Sequence, residues 1–228
     1  MPKTRTSSPL QADDTRTALL RAGLHLFGTN GFAATSTREI ATAAKANIGS
    51  IAYHFGSKEG LRDACAQHIV DTVRTVAAPI IEGLPMPRNS QEARAQIEQA
   101  LRRMGGFLLA GPEAGDIVPF VLREMQTPTK ALDIVYDGVF EPIHKRLCQI
   151  WGIAAGREPE SEETRIAVFT IIGQIVYFRI GQQAVQRRMG WGTFGAAEAA
   201  RITETVLANV HAILDAGAET KTGEGNRP

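Results

Sequence analysis

Between Asp13 and Leu61 the chain is cut by closely set stop signals: Asn30-Gly31, Ser36, Lys45-Ala46-Asn47 and Gly56-Ser57. The pieces between them are short, yet each carries apolar residues at helical spacing, so they have to share one small core. In the first, Leu20, Leu24 and Phe27 recur at i, i+4, i+7, with Leu19, Gly23 and Leu26 alongside, and Asn30-Gly31 closes the helix. Ser36-Thr37-Arg38-Glu39 has the form of a capping box, in which Ser36 accepts from the amide three residues on and Glu39 reaches back. A short second helix follows with Thr37, Ile40, Ala41 and Ala44 inward. Asn47 then caps a third, in which Ile48, Ile51, Ala52 and Phe55 make the apolar face.

Ser57 is a suitable cap for a fourth helix, carrying Leu61, Cys65, Ile69 and Val73 until Pro79 and the Gly83-Leu84-Pro85-Met86-Pro87 stretch stop it. That stretch, with Arg88-Asn89-Ser90 after it, is the clearest linker. Beyond it the periodicity predicts helices at about 90–110, 113–126, 129–152, 161–189 and 195–216. No stretch alternates with period two long enough for a strand; even "TIIGQIVYFRI" has flanks that continue as helix. The expected fold class is therefore all-α, with a head over 13–73 and a larger body over 87–215. The polar ends, 1–12 and 217–228, are expected to be disordered.

Net charge is only +1, but its distribution is uneven. Residues 1–58 carry seven Lys or Arg against three acids, a balance of +4, and the remainder is slightly acidic. A positive head on an acidic body points to a polyanion met by the head alone. The two cysteines, Cys65 and Cys148, match neither a zinc spacing nor a disulfide framework, which fits a reducing cytoplasm. The first residues lack an apolar segment of the signal-peptide kind, and no run reaches the roughly 18 apolar residues of a membrane span. There is no Gly-rich phosphate loop, no GxSxG, no HExxH, and no pair of histidines at ligand spacing, so neither an enzyme nor a cofactor is expected.

On the third helix the outward stripe is Asn47, Ser50 and His54, with Gly49 and Tyr53 alongside. Short hydrogen-bonding groups, a hole at Gly49 and a hydroxylated aromatic suit close approach to base edges and phosphates. A tight turn joins this helix to the second, as in a helix-turn-helix whose second member enters the major groove. Lys58, in the first turn of the fourth helix, faces the positive end of the helix dipole and is disfavoured there. A nearby DNA phosphate, held by the lysine and the free amides after Ser57, compensates it. A helical scaffold that binds protein through this head is the competing class, but the outward stripe lacks the large apolar residues such a surface uses.

Residues 34–61, "ATSTREIATAAKANIGSIAYHFGSKEGL", resemble the DNA-binding domain of TetR-family transcriptional regulators, chiefly through Arg38-Glu39-Ile40-Ala41, Tyr53-His54-Phe55 and Ser57-Lys58-Glu59. "DIVYDGVFEPIHKRL" and "GQIVYFRIGQQAVQRRMGW" are similar to the CecR-type C-terminal domain over about 87–215. The resemblance implies a homodimeric regulator of a double-stranded DNA operator with a ligand-binding, dimerising body. By it, Ser36, Thr37, Arg38, Tyr53, His54 and Lys58 hold the DNA backbone, while Asn47, Gly49 and Ser50 lie nearest the bases. Where the family's turn carries Gly-Val, this chain has Lys45-Ala46, and Lys45 becomes a further phosphate contact. The family pattern also expects two helices paired across a two-fold axis, through the stripe Ile166, Phe169, Gly173, Val176, Ile180 and Ala184 and the stripe Ile202, Val206, Val210 and Leu214. Polar residues inside apolar runs are the candidates for a small-molecule pocket: Arg123, Glu124, Tyr136, Gln174, Tyr177 and Arg179, with Met104, Phe107 and Phe120 as apolar lining. For Arg123 and Arg179 the alternative is an internal pairing with glutamate.

Overall fold

The computed structural model of the 228-residue chain describes residues 9–81 and 83–224, with side chains over 14–79 and 83–216. Half of the residues in the expected disordered ends, 1–8 and 225–228, lie outside the described residues; the other half, 9–12 and 217–224, is helical rather than disordered, because α1 starts at Pro9 and α11 runs to Glu224. Every regular element among the described residues is a helix. In chain order these are α1 (Pro9–Asn30), α2 (Thr37–Ala43), α3 (Gly49–Phe55), α4 (Lys58–Ile81), α5 (Ser90–Gly105), α6 (Ala114–Gln126), α7 (Lys130–Val135), α8 (Glu141–Ala155), α9 (Glu162–Ile180), α10 (Gln182–Met189) and α11 (Ala196–Glu224). Single π-helical turns continue α5 over Gly106–Ala110 and join α7 to α8 over Tyr136–Phe140. The chain divides into two compact units, Met1–Thr72 with Gly115–Gly138, and Val73–Ala114 with Val139–Pro228.

In the first unit, Leu19, Leu20, Leu24 and Phe27 of α1 form a core with Ile40 of α2, Ile51 of α3 and Leu61, Cys65 and Ile69 of α4. Each such large side chain taken from water contributes about 1.5–3 kcal/mol, so this core carries α2 and α3, two seven-residue helices too short to be stable alone. Gly23 lets α1 approach α4, since a Cβ there would lie 3.1 Å from the Leu61 side chain. Only Ile51 of the expected α3 face is sealed; Ile48 is 50% exposed because it precedes the helix, and seven residues of α3 turn one narrow face inward. The stretch 115–138 belongs to this unit too. Phe120 and Ile117 of α6 are buried, and a Cβ on Gly28 of α1 would lie 3.0 Å from the Phe120 amide, so the backbones nearly touch.

The second unit packs α5, α8, α9 and α11 around Ile97, Leu101, Ile150, Trp151, Val168, Ile171, Ile175, Ile202, Val206 and Val210. The expected helix over 161–189 is broken at Gly181, where α9 ends with the Gly181 amide on the Tyr177 carbonyl, and α10 leaves at 76°. The stripe Ile202, Val206, Val210 and Leu214 is internal core rather than a subunit surface, because those residues face α5 and α9 of their own unit. By contrast Ile166, Phe169, Tyr177 and Ile180 of α9 are each more than half exposed, beside Gly173, which has open space around it.

Candidate nucleic-acid interface

The capping box forms as the sequence requires: the Glu39 amide donates to Ser36 Oγ at 3.2 Å and the Ser36 amide to Glu39 Oε2 at 2.7 Å. Those two bonds start α2 at Thr37, so Thr37 and Arg38 occupy its first turn, where free amides point outward. The bond from the Ser36 amide, with help from its hydroxyl, holds the Glu39 carboxyl below its ordinary value of 4.5. At the other end Lys45 has φ +52°, the left-handed conformation that glycine adopts freely. Its amide donates to Thr42 O and the Ala46 amide to Ala41 O, both within 3.0 Å, which is the Schellman pattern of helix termination. The turn that usually takes glycine is thus built with a lysine.

Asn47 is not the cap of α3 as expected: Ile48 holds that position without a side-chain bond, and Asn47, one residue earlier, accepts from the Gly49 amide at 2.9 Å and shapes the turn into the helix. With Ile51 turned into the core, Asn47, Gly49 and Tyr53 lie exposed, and Ser50 and His54 half-buried. Tyr53 is 81% exposed and packs edge-on against the His54 ring at 4.8 Å. An aromatic left so bare on a short helix gains nothing from folding and is available to a partner. Ser36, Arg38 and Lys45 are exposed and Thr37 is half-buried.

Lys58 is placed differently. Its Nζ donates to Phe32 O at 3.0 Å and Thr35 O at 2.9 Å and lies 4.2 Å from the centre of the Phe32 ring. Arg62 stacks on the same ring at 3.9 Å. Thr35, 1% exposed, bonds Gly31 O at 2.8 Å through its hydroxyl. Neither Phe32 nor Thr35 stands out in sequence, because their partners lie on other elements. Beside Lys58, Glu59 accepts from its own amide at the start of α4 and from Ser57, which hold its carboxyl below 4.5.

The candidate pocket residues do not assemble so clearly. In the first unit, Phe120 is core, and Arg123 Nε and Nη2 donate to Gly28 O and Thr29 O at 3.2 and 2.8 Å, capping the end of α1 instead of pairing with a glutamate. Glu124 is buried and accepts from the Thr129 hydroxyl, and Tyr136 is 51% exposed. In the second unit, Met104 packs on the core, Phe107 is half-buried on the π turn, Gln174 accepts from Asn209 at 2.9 Å, and Tyr177 is exposed. Arg179 has Gln182 Oε1 at 3.4 Å, and burial lowers its pKa. Apolar flanks made several of these look interior, but the helices turn them to solvent or to backbone carbonyls. A groove on α5 lined by Ala95, Glu98, Gln99, Arg102 and Arg103 holds none of them.

This geometry agrees with comparisons to known proteins. The model for bacterial regulatory proteins of the tetR family matches residues 19–65, and the model for the C-terminal domain of the HTH-type transcriptional dual regulator CecR matches 93–217. The HTH-type transcriptional dual regulator CecR of Shigella flexneri is 34% identical over 212 residues, 90% of this chain and 93% of that protein. Two solved structures share the fold at low identity. One is AibR in complex with isovaleryl coenzyme A and operator DNA, with TM-score 0.62, 13% identity, and 85% of this chain and 96% of that one covered. The other is FadR from Bacillus subtilis in complex with stearoyl-CoA, with TM-score 0.56, 16% identity, and 84% and 97% covered. Among the described residues no single helix is long and apolar enough to cross a membrane. The chain belongs to the TetR family of DNA-binding transcriptional regulators, with a C-terminal domain of the CecR type.

Proposed function

We propose that the protein is a cytoplasmic homodimeric repressor that leaves a near-palindromic operator when a small molecule binds its body. The observation that carries the DNA contact set is the α3 ridge, with Tyr53 81% exposed on a helix anchored by Ile51 behind an intact capping box. On this reading Thr37, Arg38, Lys45, Tyr53 and His54 meet the backbone, Ser36 starts the helix that presents them, and Asn47, Gly49 and Ser50 meet base edges. Pairing of two copies is supported by the bare apolar stripe of α9, since Ile166, Phe169, Tyr177 and Ile180 in a row would otherwise be costly to expose. A two-fold pair sets two recognition helices about 34–36 Å apart, matching successive major grooves. Repression follows most simply, because occupancy alone blocks a promoter.

The effector is proposed to be an acyl-coenzyme A, by analogy with the ligands of AibR and FadR. Phe107, Met104, Gln174, Tyr177 and Arg179 are the residues of the second unit to test for it, through differential binding to two states. The experiment is fluorescence anisotropy on operator fragments selected from genomic DNA, with isovaleryl- or stearoyl-coenzyme A added. Salt-dependent binding that weakens with either thioester supports the proposal. Binding that neither thioester moves removes this ligand class, and no binding to any duplex at low salt removes the DNA assignment.

A further inference from the structure

We infer that Ile48 is a specificity-determining residue of the reading surface, one that recognises the 5-methyl group of a thymine. The spacing of Ile48, Ile51, Ala52 and Phe55 predicts a single inward face, yet only Ile51 is sealed and Phe55 is half-buried. Ile48 is 50% exposed, and Ala52 is exposed as well. Ile48 has helical angles, φ −56° and ψ −35°, so it opens the path of α3 instead of hanging in the turn. Four residues apart on that path, Ile48 and Ala52 are neighbours along one edge. Gly49, exposed beside them, carries no side chain, and a Cβ there would meet only Asn47 Oδ1 at 3.4 Å. The outer face of α3 thus has an apolar edge running beside its hydrogen-bonding groups.

An isoleucine left half in water adds little to the small core behind it, and its exposed part is free to be covered by a partner. The identity of that partner rests on the proposed seating of α3 in the major groove, where a recognition helix turns its N-terminal residues to the base edges. Ile48 stands at that end of α3. Along the groove the base pairs offer hydrogen-bond donors and acceptors, and the one methyl group among them is that of thymine. Against a donor or acceptor, Ile48 would displace water and return no hydrogen bond. Against the methyl it removes apolar surface from water on both sides. One side chain therefore favours thymine and disfavours the other bases at the same place in each half-site.

Uracil pairs as thymine does and lacks only the methyl. An operator fragment selected from genomic DNA is therefore remade as a series of duplexes, each with one thymine changed to uracil, and titrated with the full-length protein by fluorescence anisotropy. At one thymine in a half-site the change should weaken binding by about fourfold. Ile48→Ser, which ends the apolar reach, should bind the thymine and uracil forms of that site alike, whereas Ile48→Val should still tell them apart. The slope of log K against log salt should match the parent's in both variants, since no charge is altered. A parent indifferent to every single uracil overturns the inference, and so does an Ile48→Ser protein that keeps the parent's discrimination. A parent that binds no duplex at low salt removes the DNA assignment and the inference with it, whereas binding without methyl dependence removes the inference alone.

Discussion

Lys45 offers a direct measurement of what it costs to build the helix-turn-helix turn without glycine. Its φ of +52° places an L side chain in the left-handed region, which costs roughly 1–2 kcal/mol relative to glycine. Replacement by glycine relieves that strain but frees the unfolded chain, returning about 0.4–1 kcal/mol. Lys45→Ala keeps the strain and removes the charge, so the two variants compared with each other isolate the backbone contribution. Lys45→Gly should therefore exceed Lys45→Ala by about 0.5–1 kcal/mol. For a chain of this length that is a melting-temperature difference of about 1–4 °C, read by calorimetry or far-UV dichroism. Their salt slopes on duplex DNA should fall together by about 0.9 if the ammonium reaches a phosphate. An alanine variant as stable as the glycine variant would refute the strain argument, since nothing else separates them.

Other consequences can be checked separately. A Cβ on Gly105 would lie 2.2 Å from the hydroxyl of Thr203, which is buried and bonded to Ala199 O, so Gly105→Ala should destabilise by about 1–2 kcal/mol despite the better helix propensity. Adding Thr203→Ala should recover most of it, giving a coupling of about 1–2 kcal/mol in urea unfolding; additivity would mean that the helices simply move apart. Glu39 has a folded pKa below 4.5, so its contribution to α2 is present above 4.5 and is lost as pH falls through the lower folded value. Glu39→Gln should flatten amide exchange of residues 37–40 over that acid window relative to the parent. Phe169→Glu, or Tyr177→Glu, should convert a sedimenting dimer to monomer with little change in secondary structure, and an unchanged dimer would move the interface off α9.

Local signals were legible where both partners sit within a few residues. Ser36 with Glu39 follows from short-range chemistry alone, and the stop at Asn30-Gly31 does too, since Gly31 takes the positive φ that closes α1. The helical spacing of Leu20, Leu24 and Phe27, and of Leu61, Cys65 and Ile69, foretold which faces are buried. What stayed hidden depends on partners far along the chain. The α11 stripe has the same period whether it faces its own unit or another copy. Arg123 reads as a buried charge until the end of α1 arrives beside it, and Lys58 reads as free until the Phe32 and Thr35 carbonyls close over it. The break at Gly181 was invisible because both sides have helical patterns.

The first unit is stitched from two separated lengths of polypeptide, and this limits how the protein can be recombined. A fragment ending near residue 73 would carry α1 to α3 but leave the flank of α1 at Gly28 without the α6 backbone that lies against it, and would lack the buried Ile117, Phe120, Ala131 and Val135. Transplanting the reading head onto a foreign sensor therefore requires grafting residues 115–138 with it. A chimaera joined at the apparent linker alone inherits a raw apolar seam.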